Sequence, residues 1–316
     1  MPPFRIIVLG TGDFALPTFN HLVDSGCQVV ALVTQPDRPQ GRKRELIPSL
    51  IKQSAQAKGI AVEQPENVNA PEALALIAAY APDLLVTAAY GQILSPELLG
   101  LSRLGGINLH GSILPKYRGA APVARAIERG ESETGVTVIR MTPRIDAGGM
   151  LAFARTPIDP AETAGELEDR LALVGAPLVL QTIQAIADGT AEVLPQSKSK
   201  VTKAPKLSKD DGWIDWTLPS QTVHNLVRAM QPWPLASTTW LRPTGPVRLI
   251  IHRSEVVDGQ GQPGQVLEAL GDRLVVAAGE GAVRLWTVQM VGKKPSPAAE
   301  FLRGHHPFGD FMGPKA

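Results

Sequence analysis

The sequence has one cysteine, few aromatic residues and almost no net charge. Because Cys27 is the single cysteine, an intramolecular disulfide and a metal site built from several cysteines are excluded, and a reducing compartment is expected. The formal net charge of +1 predicts that any contact with nucleic acid depends on local basic patches rather than on a surface that is basic throughout.

Long apolar runs are also lacking. The apolar run near the N-terminus is too short for a signal peptide, and the longest apolar region, residues 73–91, is interrupted by Pro82 and Asp83. We therefore expect a cytoplasmic protein that does not enter a membrane.

What is present indicates two domains. With 316 residues, of which 44% are apolar and 19% charged, the chain can bury large cores. Apolar runs alternate with helical patterns up to about residue 190, and such alternation predicts an α/β fold with a Rossmann-like, doubly wound, mostly parallel sheet. The runs that predict strands are 5–9, 28–33, 83–89, 106–109, 134–141 and 149–155. Residues 163–189 predict one long helix that starts at a capping box, Thr163 to Glu166, and could kink at Pro177.

The composition changes after this helix. Five lysines and no acid occur in residues 196–209, which predicts an exposed linker. A helical segment at 219–231 and about five short strand-like runs with glycine-rich turns then predict a small C-terminal β-barrel, of which an oligonucleotide-binding (OB-like) barrel is one candidate. We expect domains at 1–190 and 209–316 with a basic linker at 191–208.

The stretch "RIIVLGTGDFALP" resembles a dinucleotide-binding turn. Gly10, Gly12 and Ala15 have the required spacing directly after an apolar run. A nicotinamide site would also need an acidic residue at the end of the second strand, but that strand ends in Thr34 and Gln35. We therefore favour the simpler interpretation, in which the glycines let the chain turn tightly from a strand into a helix.

Polar residues that could carry chemistry follow two later strands. Asn108 and His110 lie two residues apart at a strand end, so their side chains point the same way, toward the edge of the sheet where ligands bind. Asp146 follows the next strand, and a carboxylate beside an imidazole would fix its tautomer. Taken separately, a histidine at a strand end is usually structural and Asp146 could simply shape a turn. Together the three residues predict a site that stabilises an oxyanion and moves a proton.

These segments carry a family resemblance. "INLHGSILPKYRGAAP" and "RIDAGGML" resemble the signature of the formyltransferases that use 10-formyltetrahydrofolate, which act on glycinamide ribonucleotide, amino-sugars or methionyl-tRNA. The resemblance to the members that act on methionyl-tRNA spans nearly the whole chain, from "VLGTGDFALPTF" through "VTQPDRPQGRKRELIPSLIK" and "AAYGQILS" to "KLSKDDGWIDW" and "QPWP".

The resemblance implies an activity and its residues. The activity is transfer of the formyl group of 10-formyltetrahydrofolate to the α-amine of initiator methionyl-tRNA, for translation initiation, without a metal. Asn108, His110 and Asp146 are the implied catalytic residues. The implied folate-binding residues are Ala89, Tyr90, Gly91, Ile93, Ser112, Ile113, Leu114 and Pro115, although Tyr90 could equally be an ordinary core residue.

The resemblance also implies a basic loop that contacts tRNA. The lysine-rich linker is a second positive tract that suits phosphate contacts, although a linker is about as often lysine-rich for solubility alone. We expect a monomer. The loop "PDRPQGRKRE" matches, in place and length, the loop that tRNA-acting members use against the acceptor stem, although such charge clusters are usually only solvated surface. The tRNA-binding candidates are Arg38, Arg42, Lys43 and Arg44 in this loop, and Lys198, Lys200, Lys203, Lys206 and Lys209 in the linker. Arg42 is the strongest candidate, because the following "KRE" differs from the commoner glycine-lysine-lysine version.

Two other functions stay open. A formyltransferase that acts on a small molecule is disfavoured by the basic loop and the C-terminal domain. A nicotinamide-dependent oxidoreductase would rest on "GTGDFA" alone.

Overall fold

The computed structural model describes residues 4–40 and 45–315. The chain forms two compact units by its internal contacts, and each is built from more than one segment. The first consists of the described residues of Met1–Pro122, Thr134–Thr156 and Glu168–Ala204, and the second of Val123–Glu133, Pro157–Leu167 and the described residues of Pro205–Ala316.

A seven-stranded mixed sheet forms the centre of the first unit. Its strands and those of two small sheets are β1 (Ile6–Gly10), β2 (Val29–Val33), β3 (Pro39–Gln40), β4 (Glu45–Leu46), β5 (Ala61–Glu63), β6 (Leu84–Ala88), β7 (Gly106–His110), β8 (Arg118–Gly119), β9 (Glu133–Arg140), β10 (Met150–Pro157) and β11 (Lys203–Ala204). The order in the large sheet is β10-β9-β7-β6-β1-β2-β5, parallel from β5 to β7, whereas β9 is antiparallel to β7. The predicted mostly parallel sheet is confirmed, and its six predicted strands are β1, β2, β6, β7, β9 and β10. The three-residue strand β5 was missed, because it is too short and too exposed to show a pattern.

The helices of the chain follow the sequence pattern closely. They are α1 (Ala15–Asp24), α2 (Leu50–Ala57), α3 (Pro71–Ala79), α4 (Pro96–Leu99), α5 (Pro122–Glu128), α6 (Ala164–Ala187), α7 (Ser220–Ala229) and α8 (Ala298–Gly304). Ser49 caps α2, since its hydroxyl accepts from the Lys52 amide at 3.4 Å. Pro71 opens α3 at a position where a missing N–H costs nothing.

The long helix α6 packs against the strand that carries the predicted site. It is continuous through Pro177, and a Cβ atom on Gly175 would lie only 2.5 Å from a methyl group of Leu109 on β7. Glycine therefore lets the helix approach the strand closely. Within the described residues, α6 is the one helix long and apolar enough to cross a membrane, and one of its faces, with Leu171, Val179 and Ile183, is buried in the protein.

The turn between β1 and α1 has the predicted structural role. A Cβ atom on Gly10 would lie 2.6 Å from the Cβ of Ala15, and Gly12 has a φ of +76°, which side-chain-bearing residues rarely adopt. The glycines thus allow a tight strand-to-helix turn.

The second unit contains an antiparallel barrel. Its strands are β12 (Ala236–Arg242), β13 (Gly245–Val257), β14 (Val266–Leu270), β15 (Arg273–Ala277), β16 (Ala282–Met290), β17 (Ser296–Pro297) and β18 (Phe311–Gly313), in the order β14-β15-β16-β13-β12-β18 with β17 paired to β16. The curled sheet closes through two backbone bonds, from the Met312 amide to the Gly264 carbonyl at 2.7 Å and from the Val266 amide to the Asp310 carbonyl at 2.9 Å. The predicted small barrel is confirmed. Sequence patterns missed β18, the three-residue strand that completes it.

A capping box and an ion pair, both within the second unit, fix the start of α6. The Thr163 amide donates to Glu166 at 2.7 Å, the Glu166 amide donates to the Thr163 hydroxyl at 3.3 Å, and Arg253 pairs with the Glu166 carboxylate. Arg253, followed by the Thr163 amide, lowers the pKa of Glu166 to about 2. Because the pKa is lower in the folded protein than the ordinary value of about 4.3, the pair stabilises the fold above that value and is lost as the pH falls toward 2.

Replacing Glu166 by glutamine should therefore flatten the acid dependence of stability. Between about pH 4.5 and pH 2, the free energy of unfolding of the Glu166→Gln variant is expected to fall less steeply than that of the wild type. At pH 7 the variant should be less stable by about 1 kcal/mol or less, since the pair is half exposed. Urea unfolding at a series of pH values measures both quantities. Glu192→Gln, at an exposed position, is the matched control, and equal acid dependence of both variants would contradict the prediction.

Candidate active site

The first strong feature of the site is an oriented amide at the end of β7. In the parallel pairing of β6 with β7, Thr87 is the direct partner of Asn108. The Thr87 hydroxyl lies 2.7 Å from Asn108 Oδ1 and donates to it. Because the oxygen of the side-chain amide is engaged in this way, its NH2 group is directed away from β6 and can donate to a ligand.

His110 lies two residues further along the same strand and is 5% exposed. Its Nε2 donates to the Tyr117 carbonyl at 2.9 Å, and its Nδ1 lies 3.6 Å from Asp146 Oδ2. Both ring nitrogens therefore face oxygen atoms, which fixes the orientation of the imidazole. The structure thus brings the three predicted catalytic residues together at one edge of the sheet.

Asp146 is held in an unusual backbone conformation. Its φ is +49°, in the left-handed region, and its Oδ2 accepts from the Gly119 amide at 2.8 Å. The loop from residue 115 to 121 therefore contacts both members of the pair, through the Tyr117 carbonyl and the Gly119 amide. Sequence reasoning missed Thr87, Tyr117 and Gly119, and two of these act through backbone atoms that leave no signal in the side-chain pattern.

The predicted folate-binding residues occupy two loops at the same sheet edge. After β6, Ala89 and Gly91 have positive φ values and are exposed, and Ile93 is 61% exposed. The Tyr90 ring instead packs in the hydrophobic core with residues of β1 and β2, and burial raises the pKa of its hydroxyl to about 12. Its backbone carbonyl accepts from Gln35 at 3.2 Å.

The second loop, which follows β7, contains the other predicted folate residues. Ser112 and Leu114 are buried, whereas Ile113 and Pro115 are partly exposed. The hydroxyl of Thr137 on β9 donates to the Ser112 carbonyl at 2.7 Å and accepts from the Leu114 amide at 3.1 Å. Thr137 therefore fixes the shape of this loop beside Asn108 and His110.

The basic candidates are spread over the chain. Arg38 is exposed and pairs with Glu66 at 2.5 Å, whereas Arg42, Lys43 and Arg44 lie outside the described residues. The side chains of the linker lysines Lys198, Lys200, Lys203, Lys206 and Lys209 are all exposed, as predicted. The backbone that carries them is not free, since β11 in the linker pairs with β8.

Acidic groups that could support other chemistry are either engaged or dispersed. Asp37 is the acid near the end of β2 that could approach a nucleotide ribose. Its carboxylate instead accepts hydrogen bonds from Lys52 Nζ at 2.5 Å and from Gln64 Nε2 at 3.1 Å. The hydrogen bond from Lys52 holds the pKa of Asp37 below its usual value. Among residues 4–40 and 45–315, no group of three or more His, Cys, Asp or Glu side chains is placed to hold a metal ion.

This fold and site define a known class of protein. Residues 4–183 match the model of the formyl transferase family, and residues 206–306 match that of the formyl transferase C-terminal domain. The chain belongs to the formyl transferase family. It is 46% identical to the methionyl-tRNA formyltransferase of Pseudomonas savastanoi pv. phaseolicola over 300 residues. The matched region covers 95% of this chain and 94% of that relative.

Two solved structures share the fold at low identity. HypX from Aquifex aeolicus in complex with tetrahydrofolic acid is 18% identical with a TM-score of 0.65, over 95% of this chain and 47% of that longer one. The N-formyltransferase from Helicobacter canadensis in complex with folinic acid and dTDP-3-aminofucose is also 18% identical, with a TM-score of 0.65, over 90% of this chain and 99% of that one.

The bond from Thr87 predicts a measurable effect on activity. Thr87→Val keeps the shape of the side chain but removes the donor, so the Asn108 amide can rotate and its NH2 group is no longer fixed. We expect kcat of the Thr87→Val enzyme for the reaction catalysed at this site to fall about tenfold to a hundredfold. Thr87→Ser, which keeps the hydroxyl, should retain most of the wild-type activity. Steady-state kinetics of both variants measures this, and a Thr87→Val enzyme as fast as the wild type would show that the bond does not orient Asn108.

Proposed function

We propose that this chain transfers the formyl group of 10-formyltetrahydrofolate to the α-amine of methionyl-tRNA, giving formylmethionyl-tRNA for translation initiation. The single observation that carries the chemistry is the oriented Asn108 amide next to the His110–Asp146 pair. The relationship to a methionyl-tRNA formyltransferase over nearly the full length of both chains supports the choice of acceptor.

The three side chains have complementary roles in this mechanism. When the amine attacks the formyl carbon, the carbonyl oxygen gains negative charge, and Asn108 donates a hydrogen bond to it. When it is protonated, His110 adds a positive charge that stabilises the oxyanion electrostatically, because both of its ring nitrogens already face oxygen atoms of Tyr117 and Asp146. Asp146 orients His110 and, directly or through a water molecule, accepts the proton that the amine releases. The bond to the folate nitrogen then breaks, and that nitrogen takes up a proton to give tetrahydrofolate.

The folate site of this proposal is the crevice beside β6 and β7. The exposed backbone of Ala89 and Gly91 and the exposed Ile93 side chain fit a flat heterocycle that needs both polar and apolar contact. Ser112 to Pro115 form the neighbouring loop, held in shape by Thr137. Tyr90 contributes only its backbone here, because its ring belongs to the core. The mechanism needs no metal.

The tRNA contacts of the proposal are the basic loop and the linker. Arg38, Arg42, Lys43 and Arg44 face the acceptor stem, and the exposed lysines at 198, 200, 203, 206 and 209 bind backbone phosphates. In this scheme residues 1–190 are catalytic, 191–208 are the basic linker, and the OB-like domain at 209–316 binds tRNA. The protein acts in the cytoplasm as a monomer, away from membranes.

Formyl transfer from labelled 10-formyltetrahydrofolate tests the proposal. The purified protein is given initiator methionyl-tRNA, the same tRNA without methionine, a dTDP-linked amino-sugar and glycinamide ribonucleotide in parallel. We expect label on methionyl-tRNA alone. Label on a small amine at a comparable rate would instead favour a small-molecule formyltransferase, as in the Helicobacter canadensis relative solved with dTDP-3-aminofucose.

A further inference from the structure

The linker is joined to the catalytic residues by a network of hydrogen bonds within the first unit. Thr202 Oγ1 accepts from the Tyr117 amide at 2.8 Å, and the Thr202 carbonyl accepts from the Arg118 amide at 2.9 Å. Tyr117 and Gly119 in turn bond to His110 and Asp146. The segment from Gln196 to Ala204, which we name the strap, therefore bonds the loop that contacts His110 and Asp146.

Gln196 is the residue of the strap that reaches Asp146 directly. Its Nε2 donates to two backbone carbonyls, those of Asp146 and Gly148, each at 2.8 Å. Its Oε1 accepts from Arg118 Nη2 at 2.7 Å and from Arg118 Nε at 3.0 Å. All four bonding positions of the amide are thus used, and among uncharged side chains only the shorter asparagine offers the same two donors and acceptor.

These bonds hold a loop whose conformation is unfavourable by itself. Asp146 has a φ of +49°, a region that few residues other than glycine adopt, although aspartate tolerates it better than most. The loop packs closely against the end of β9, since a Cβ atom on Gly148 would lie 1.7 Å from the Arg140 carbonyl oxygen. Gln196 fixes the near side through the Asp146 carbonyl.

We propose that Gln196 is a positioning residue for Asp146, so that the strap, although it belongs to the basic linker, is part of the catalytic apparatus. Gln196 holds the Asp146 backbone in the left-handed conformation that places its carboxylate between Gly119 and His110. Without the two N–H donors, the loop relaxes and the carboxylate moves away from the imidazole. The kinetic form of this proposal rests on the proposed formyl transfer.

The kinetic test compares two variants at position 196 with one control variant. Gln196→Leu removes all four bonds, and Gln196→Glu keeps an acceptor for Arg118 but loses both N–H donors. We expect kcat to fall about tenfold to a hundredfold in both, with KM for folate and for methionyl-tRNA unchanged. Gln181→Leu, the same change at an exposed position of α6, is the control and should match the wild type. A Gln196→Glu enzyme with wild-type kcat would overturn the proposal.

A double-mutant cycle separates positioning from general support of the fold. If Gln196 acts through Asp146, Gln196→Leu should cause no further loss of kcat in an Asp146→Ala background, because there is no carboxylate left to position. If the two losses multiply, Gln196 acts in another way and the proposal is wrong.

Amide hydrogen exchange gives a readout that does not depend on activity. The Gly119 N–H donates to Asp146 Oδ2, whereas the Arg118 N–H donates to the strap backbone. In Gln196→Leu we expect faster exchange at Gly119 and unchanged protection at Arg118. Equal acceleration of both would mean that the whole strap has loosened, which contradicts a specific role. If the wild type transferred no formyl group, the proposed function would fail, and this measurement would still decide the role of Gln196.

Discussion

Replacing His110 by alanine is expected to lower kcat by about a hundredfold to a thousandfold, because it removes the positive charge that stabilises the oxyanion and the group that Asp146 orients. The imidazole is buried, and its two ring nitrogens are held by the Tyr117 carbonyl and by Asp146. Asn108→Ala should cause a loss of similar size, because the amide oriented by Thr87 donates the hydrogen bond to the oxyanion. Asp146→Ala should also be costly, since both the orientation of His110 and proton transfer depend on it.

These variants must remain folded for the result to be informative. Asn108 and His110 lie at the end of β7, away from the centre of the sheet, so we expect unfolding transitions close to that of the wild type. Single-turnover formyl transfer at saturating folate, together with thermal unfolding, provides both measurements. Near-normal turnover of a folded His110→Ala protein would contradict the mechanism.

Changing the five linker lysines to glutamine is expected to weaken the binding of any tRNA and to flatten its salt dependence. Each lost phosphate contact removes about 0.7 to 0.9 from the slope of the logarithm of the binding constant against the logarithm of salt concentration. Discrimination between initiator and elongator methionyl-tRNA should survive, because contacts to phosphates carry no sequence information. Binding measured against salt for both tRNAs tests this, and an unchanged slope would show that these lysines do not contact phosphates.

Replacing Arg42 is expected to have the opposite effect: discrimination between the two tRNAs should fall while the salt dependence stays nearly the same. A guanidinium makes directed, bidentate hydrogen bonds that the ammonium group of lysine cannot reproduce, so even Arg42→Lys should reduce discrimination between the two tRNAs while the salt slope changes little. Formylation rates of both tRNAs, measured together with binding against salt, compare this variant with the linker lysine variant. If Arg42→Lys formylates both substrates like the wild type, its proposed contact with the acceptor stem is wrong.

The sequence by itself determined the elements and the chemistry available at the site. Six of the seven strands of the large sheet, the barrel strands β12 to β16 and the capping box of α6 follow from apolar periodicity and local hydrogen bonding, which depend on near neighbours in the chain. The spacing of Asn108 and His110 on one strand fixed their common direction, because side chains alternate along a strand. These features need no knowledge of long-range contacts.

Only the tertiary structure decided which groups meet. The pairing of Thr87 with Asn108 depends on the register of β6 against β7, and that register links residues 21 positions apart. Similarly, the core position of the Tyr90 ring depends on how its loop leaves β6. Gln196 contacts Asp146 across 50 residues through a backbone carbonyl, so its role leaves no pattern in the chain that could have been detected. Contacts of this kind arise because folding brings distant segments together, and the sequence near each residue carries no record of its partner.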